Sequence, residues 1–431
     1  MASLFFLFLS EPNRNREKKM NYFFDQHFHV MTLEHPNLLS FMSAIKDGIP
    51  DMLTSGALSP SYILNNKNLK PSQMLTKVMN TLTSFEQPIG MTFAMMEDDL
   101  LGKFQTHGKL EDYPPLPYIR DGKMHMRSAS YDKMAMCPLL MDFSQGSSQI
   151  EDLYYPSHKL EKILKYADDT LEGIEWYHQN HNEGLFEFFP FIGINPPVHS
   201  AEFIHDLLER YVAKTKKRKG KKQFFGIKFY PPLGYNPWPS DDEEREKVCM
   251  IYDFCTKYDL PVITHCDDQG FRGISPKEAW MFTSPASFKP VLDHYPTLRL
   301  DFAHYGWQYN QLQKNPINRI SAAANRIPDS PWFYELVELM HLFPNVYADV
   351  SFSGTNPDFY VQLYNYIKSQ SREKADTILK RTIFGTDFCV NLFKVESYTS
   401  YYRLFEQSPF SDAEIDLFVQ TNPMKFMGLP Q

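Results

Sequence analysis

Two histidines one residue apart, His27 and His29, end the apolar run "FFDQHFHVM" at residues 23–31, which reads as a buried strand. Side chains on a strand alternate between its faces, so residues i and i+2 share one face and both imidazoles can reach one ion. Metal binding is the chemistry this spacing permits. With 14 histidines in 431 residues a His-x-His is close to a chance event, so the pair alone carries little. Four further residues of suitable type, Lys228, His265, His304 and Asp387, each stand at the end of a short apolar run. Taken singly they have structural readings: His265 and His304 as hydrogen-bonded core histidines, Asp387 as a strand terminator, Lys228 as the partner of a buried carboxylate. Arg272, in the loop after His265, suits a bidentate grip on a substrate carboxylate, or is a surface arginine.

The elements that position these residues are legible from residue 220 onward. In 240–266, Ser240 and Glu243 form a capping-box pattern and the acidic "DDEE" complements a helix dipole. Val248, Ile251, Tyr252 and Cys255 recur at helical spacing, and "DLPVITHC" then breaks the helix at Pro261 and proceeds as a strand. The same helix-to-strand unit recurs in 287–306, 332–352 and 364–388. Strand ends at Lys228, His265, His304, about Asp349, and Asp387 lie roughly 40 residues apart, which predicts βα units on a parallel sheet. Upstream, strand-like runs occupy 22–28, 88–96, 135–143 and 186–194. The first, third and fourth are read as barrel strands, leaving 36–134 as a long insertion after strand one. In a parallel barrel such an insertion leaves from the C-terminal mouth, where the strand-end residues converge, and is expected to form a lid or wall there.

At these positions "DQHFH", "GIKFYPPLGYNPWP" (226–239), "THCDDQG" (264–270), "AHYG" (303–306) and "FGTDF" (384–388) resemble the successive strand-end motifs of the amidohydrolase superfamily. The "IKFYPPLGYNP" stretch is similar to its amidohydrolase-related branch, which holds both metal-dependent hydrolases and aminocarboxymuconate-semialdehyde-type decarboxylases. The likeness runs over residues 22–430, and "SDAEIDLFVQTNPMKFMGL" looks like the branch's closing helices. It implies a (β/α)8 TIM barrel in which His27, His29, His265 and Asp387 hold one metal ion, with His304 beside the substrate. Lys228 matches the position where binuclear members carry a carbamylated lysine. The aromatic and proline-rich run that follows it differs from those enzymes, and Lys228 as an unmodified cation toward substrate is the expectation.

Bulk properties limit the alternatives. A net charge of -8 argues against a nucleic-acid-binding surface, and no stretch approaches the about 18 apolar residues of a membrane span. The basic run "KTKKRKGKK" (214–222) precedes strand four, away from the mouth, and is read as a solvated loop. His294 and His341, near the ends of expected helices, are dipole partners rather than ligands. Five cysteines, none in a C-x-x-C pair, fit a reducing cytoplasm. The apolar start "MASLFFLFLS" lacks a basic leader, although secretion stays open, and residues 1–20 are taken as an extension to a single domain over 21–431. Neither a glycine-rich phosphate loop nor a G-x-S-x-G elbow is present.

The resulting expectation is a metal-dependent hydrolase of a small amide, lactone or ester, carrying one divalent ion: Zn²⁺ first, with Mn²⁺, Fe²⁺ or Co²⁺ able to substitute. Asp387 would serve as general base and then acid, His304 would stabilise charge or orient water, and Lys228 and Arg272 would face the substrate. The alternatives are a non-oxidative decarboxylase of a small carboxylic acid and, in another class, a catalytically silent binding barrel. The expected partner is a small molecule, with self-association left open.

Overall fold

Short runs of aromatic and branched residues, each stopped by a polar side chain, make the strands of this computed structural model. It describes residues 20–32, 35, 81, 83–103, 116–144, 161–181, 183–212, 223–270, 272–309 and 330–430. The barrel strands are β1 (Tyr22–Phe28), β2 (Lys133–Pro138), β3 (Phe186–Phe188), β4 (Phe191–Gly193), β5 (Gly226–Phe229), β6 (Val262–Thr264), β7 (Leu300–Phe302), β8 (Val346–Asp349) and β9 (Thr382–Ile383). Paired neighbours run parallel and follow chain order.

The third barrel position is shared by β3 and β4, interrupted at Phe189 and Pro190, because proline has no N–H to give to a ladder. Both halves remain tied to the β2 segment, through Phe189 N to Met136 O (2.8 Å) and Leu140 N to Phe191 O (3.0 Å). Gln26 N to Phe384 O (3.1 Å) and Thr386 N to His27 O (3.0 Å) join the last strand to the first. Those bonds close the ring of a (β/α)8 barrel, whose mouth gathers residues from distant parts of the chain. Phe24, Ala135, Phe191, Ile263, Tyr347 and Ile383 fill one interior layer, against Met424, Phe426 and Met427 of the C-terminal helix Asn422–Met427.

A bulge in β1 decides which way the two histidines face. Asp25 pairs with Met136 but Phe28 pairs with Pro138, so β1 spends one extra residue across the interval. Before the bulge Phe24 points into the barrel and Phe23 packs outside; after it Phe28 packs outside, against Phe93. His27 and His29 are thereby turned to the mouth, the re-aiming that bulges beside functional sites perform.

Several expectations about elements are corrected. The run 88–96 is not a strand: Ile89–Leu100 is a helix entered from Pro88, with Ile89, Phe93, Met96 and Leu100 buried along one face. Helix Asp242–Tyr258 is capped by Asp241, whose carboxylate accepts from Glu244 N (3.0 Å), rather than by Ser240 with Glu243. The expected strand 186–194 is the broken pair β3 and β4. Within 36–134, the helix Ile89–Leu100 packs on the helix Glu161–Asn180. A small antiparallel sheet (Ile119–Arg120, Lys123–Met126, Ala129–Tyr131) is tied by Arg127 Nε to Glu406 O (2.8 Å). Neither element lines the cavity described below. The remainder of that insertion, at 36–80, 82 and 104–115, lies outside the described residues, as do the N-terminal extension to residue 19 and the basic run 214–222. No helix among the described residues is long and apolar enough to cross a membrane. His294 and His341 do fall in the last turns of their helices.

Candidate metal centre and cavity

His27 and His29 are each fixed through Nδ1. His27 Nδ1 donates to Asp349 Oδ2 (2.7 Å), and His29 Nδ1 donates to the Leu139 carbonyl (2.7 Å). A neutral imidazole has one N–H, so both Nε2 atoms are left as lone pairs, and they face each other at 3.3 Å. Asp387 Oδ1 lies 3.4 Å from His27 Nε2 and 3.3 Å from His29 Nε2. Three electron-pair donors, all buried, thus lie within 4.8 Å of one another with no hydrogen of their own to share. Such a donor set fits a cation, and imidazole with carboxylate suits zinc and its neighbours in the first transition row.

The electrostatics agree. Burial first, and then the Lys228 charge, lowers His27 to about 3, so its ring is neutral and able to ligate. Burial alone would raise Asp387, but the adjoining His29, His304 and His27 rings hold it below the usual carboxylate range. Asp349 is likewise kept low against its burial, by His27 and by Ser351. Its Oδ1 accepts from His304 N (3.1 Å) and Ser351 N (3.0 Å), so one carboxylate orients β1, β7 and β8 residues together.

His265 and His304 form a second group with Asp267. His304 Nε2 lies 3.2 Å from His265 Nδ1, and His304 Nδ1 donates to the Ser351 carbonyl (3.1 Å). Burial lowers His304 below the ordinary histidine range. Its backbone is left-handed, at φ 61, as is that of Asp387, at φ 59. Residues held in this sparsely populated region are concentrated where chemistry is arranged.

A cavity partly open to solvent adjoins these groups. It is lined on one side by His29, His265, Asp267, His304 and Asp387, and elsewhere by Met141, Tyr230, Gln269, Gly270, Phe352 and Val390. Of the six strand-end residues, His27, His29 and Asp387 come together, while His265 joins His304 on the adjoining wall. Lys228 points into the barrel with Nζ 3.4 Å from His27 Nε2, and burial lowers its ammonium to about 8 against the pull of Asp349, Asp387 and Asp301. Neither Lys228 nor Arg272, both expected against the substrate, is among the residues lining the cavity. Lys228 is taken up by the barrel interior, and Arg272 is half-buried in its loop. Asp349 and Asp267 were not singled out from sequence. Asp349 stood at an expected strand end without a role, and Asp267 follows His265 by two residues; their positions were visible but their partners were not.

A family model for amidohydrolases matches residues 190–429, more than half of the chain, and the protein belongs to that family of enzymes. No curated protein sequence matches it. Among solved structures, a probable 2-pyrone-4,6-dicarboxylic acid hydrolase from Acinetobacter baumannii, with citric acid bound, is 12% identical at TM-score 0.44, covering 94% of this chain and 99% of that one. A 2,6-dihydroxybenzoate decarboxylase complexed with 2,6-dihydroxybenzoate is 10% identical at TM-score 0.44, covering 96% and 100%. A dihydroxybenzoic acid decarboxylase from Polaromonas sp. JS666, with manganese and 2-nitroresorcinol, is 12% identical at TM-score 0.44, covering 95% and 97%. At this similarity these likenesses bear on neither substrate nor reaction.

Proposed function

We propose that the protein is a metal-dependent hydrolase of a small amide, lactone or ester, with one divalent ion, zinc first, on His27, His29 and Asp387. His265 is the expected fourth donor. The reading is carried by one observation: two imidazole Nε2 atoms, their tautomers set by Asp349 and Leu139, and a carboxylate oxygen converge within 4.8 Å beside a cavity. When bound, such an ion supplies Lewis acidity, lowering the pKa of water and polarising a carbonyl. Asp387, ionised and lining the cavity, accepts a proton from water and returns it to the leaving group. His304, anchored through Nδ1, presents Nε2 to the cavity and orients the attacking water or takes up a proton. Tyr230 and Phe352 pack against His265 and His304, at ring-centroid distances of 4.5 Å and 6.1 Å, and keep that wall apolar beyond the donors. Lys228 is proposed to remain unmodified, its charge balanced by Asp349, Asp387 and Asp301.

The test is turnover by metal-loaded protein across matched amides, lactones and esters, run beside carbon dioxide trapping with aromatic and muconate-like acids. Release of a carboxylic acid from the first set, without carbon dioxide from the second, is the expected result. Carbon dioxide release without hydrolysis would replace the proposal with a decarboxylase. Metal binding with turnover in neither set would make the barrel a binding protein.

A further inference from the structure

Asp267 is a carboxylate whose two oxygens are treated differently by the fold. Its side chain lines the cavity although the residue is only 4% exposed. Oδ1 accepts from Gln269 N (2.6 Å) and lies 3.2 Å from His265 Nε2. Among the described residues Oδ2 has no such partner: the ring nitrogen nearest to it, His304 Nε2, is 3.9 Å away, beyond hydrogen-bond reach. Oδ2 faces the cavity with no protein donor, so a ligand that brings an N–H or O–H there gains a charge-assisted hydrogen bond.

We propose that Asp267 determines which substrates this cavity accepts: carbonyl compounds that present an N–H or O–H donor to Oδ2, such as primary and secondary amides, and not those that place a second carboxylate there. The assignment deepens the hydrolase reading and rests on it for the reacting carbonyl. It does not rest on it for binding. Among the described residues no lysine or arginine lines the cavity, so a second carboxylate placed at Oδ2, away from the Asp387 donor group, meets repulsion from Asp267. Met141, Phe352 and Val390 supply the apolar remainder, which suits a flat hydrocarbon body behind the donor. A site built to hydrogen-bond a substrate N–H discriminates strongly against an analogue lacking it, because its own polar atom is then left unpaired.

The experiment is ligand-observed NMR of the metal-loaded protein with three probes of similar size: benzamide, methyl benzoate and isophthalate. Wild type is expected to bind benzamide about tenfold or more tightly than methyl benzoate, and isophthalate weakest of the three. Asp267→Asn keeps an oxygen for the Gln269 amide and removes the charge. It is expected to lose the preference for benzamide and to gain affinity for isophthalate. An unchanged order of affinities in the variant, or a wild type that binds methyl benzoate or isophthalate as well as benzamide, or binds none of the three, overturns the assignment. Should Asp267→Asn fail to fold, the wild-type order alone decides. Turnover appears in the same spectra as product signals: preference without turnover contradicts the hydrolase reading and leaves Asp267 standing, and turnover without preference does the reverse.

Discussion

Asp349 acts on His27 through a single proton. By accepting from Nδ1 it leaves Nε2 as a lone pair, and outer partners of this kind typically change metal affinity by about 10–100-fold when removed. Asp349→Asn is therefore expected to weaken zinc binding by about that factor while the fold persists, as read by competition with a chelator. Equal affinity in the two proteins would mean the tautomer is set elsewhere. A second buried pair lies beside the site: Asp142 Oδ2 is 2.6 Å from His199 Nε2 and also accepts from Asn195 N (3.0 Å). Burial alone would raise Asp142, but His199 and Ser144 hold it below the usual carboxylate range. A carboxylate depressed in the folded state stabilises above its unfolded pKa of about 4, and that contribution is lost as pH falls through the lower folded value. Asp142→Asn should thus cost about 1–3 kcal/mol near neutrality and progressively less in acid, as urea midpoints across pH will read. A penalty constant from pH 7 to strongly acid solution would contradict this. At this scale the ligand-type residues were legible because His and Asp at strand ends are conspicuous. Asp349, Asp267 and Asp142 were not, because their roles lie in partners supplied by other strands.

Elements fix these residues through close backbone approaches. A Cβ added to Gly385 would lie 2.6 Å from His27 Cβ and 3.0 Å from His27 N, and backbone cannot rotate aside as a flexible side chain does. Gly385→Ala is expected to cost about 1–3 kcal/mol and to displace β1 at His27, lowering melting temperature and metal content together. A variant that loses stability but keeps wild-type metal content would show that this approach does not set the donor geometry. Sequence located the later strands well, since a helix with its own period precedes each of them. It failed at 88–96, where a continuous apolar run carries no period to separate helix from strand, and packing against Phe28 and Phe188 settled it as helix. The β1 bulge was equally hidden: the His-x-His spacing says that the two rings share a face, not which face.

For the whole molecule, the barrel explains how donors 360 positions apart, His27 and Asp387, come within 3.4 Å. Hydrogen bonds from Gln26 and Thr386 close the ring at that seam, so the same contacts that complete the fold assemble the site. That convergence was foreseeable from strand order alone, whereas the division of the mouth into a His27–His29–Asp387 group and a His265–Asp267–His304 group was not, because it depends on side-chain directions. The first group is proposed to hold one divalent ion. This is tested most directly by elemental analysis of the purified full-length chain beside its His27→Ala/His29→Ala double variant. Close to one equivalent of metal per wild-type chain and loss of that equivalent in the folded variant are expected; substoichiometric metal in the wild type, unchanged in the variant, would rule out a metal on these residues.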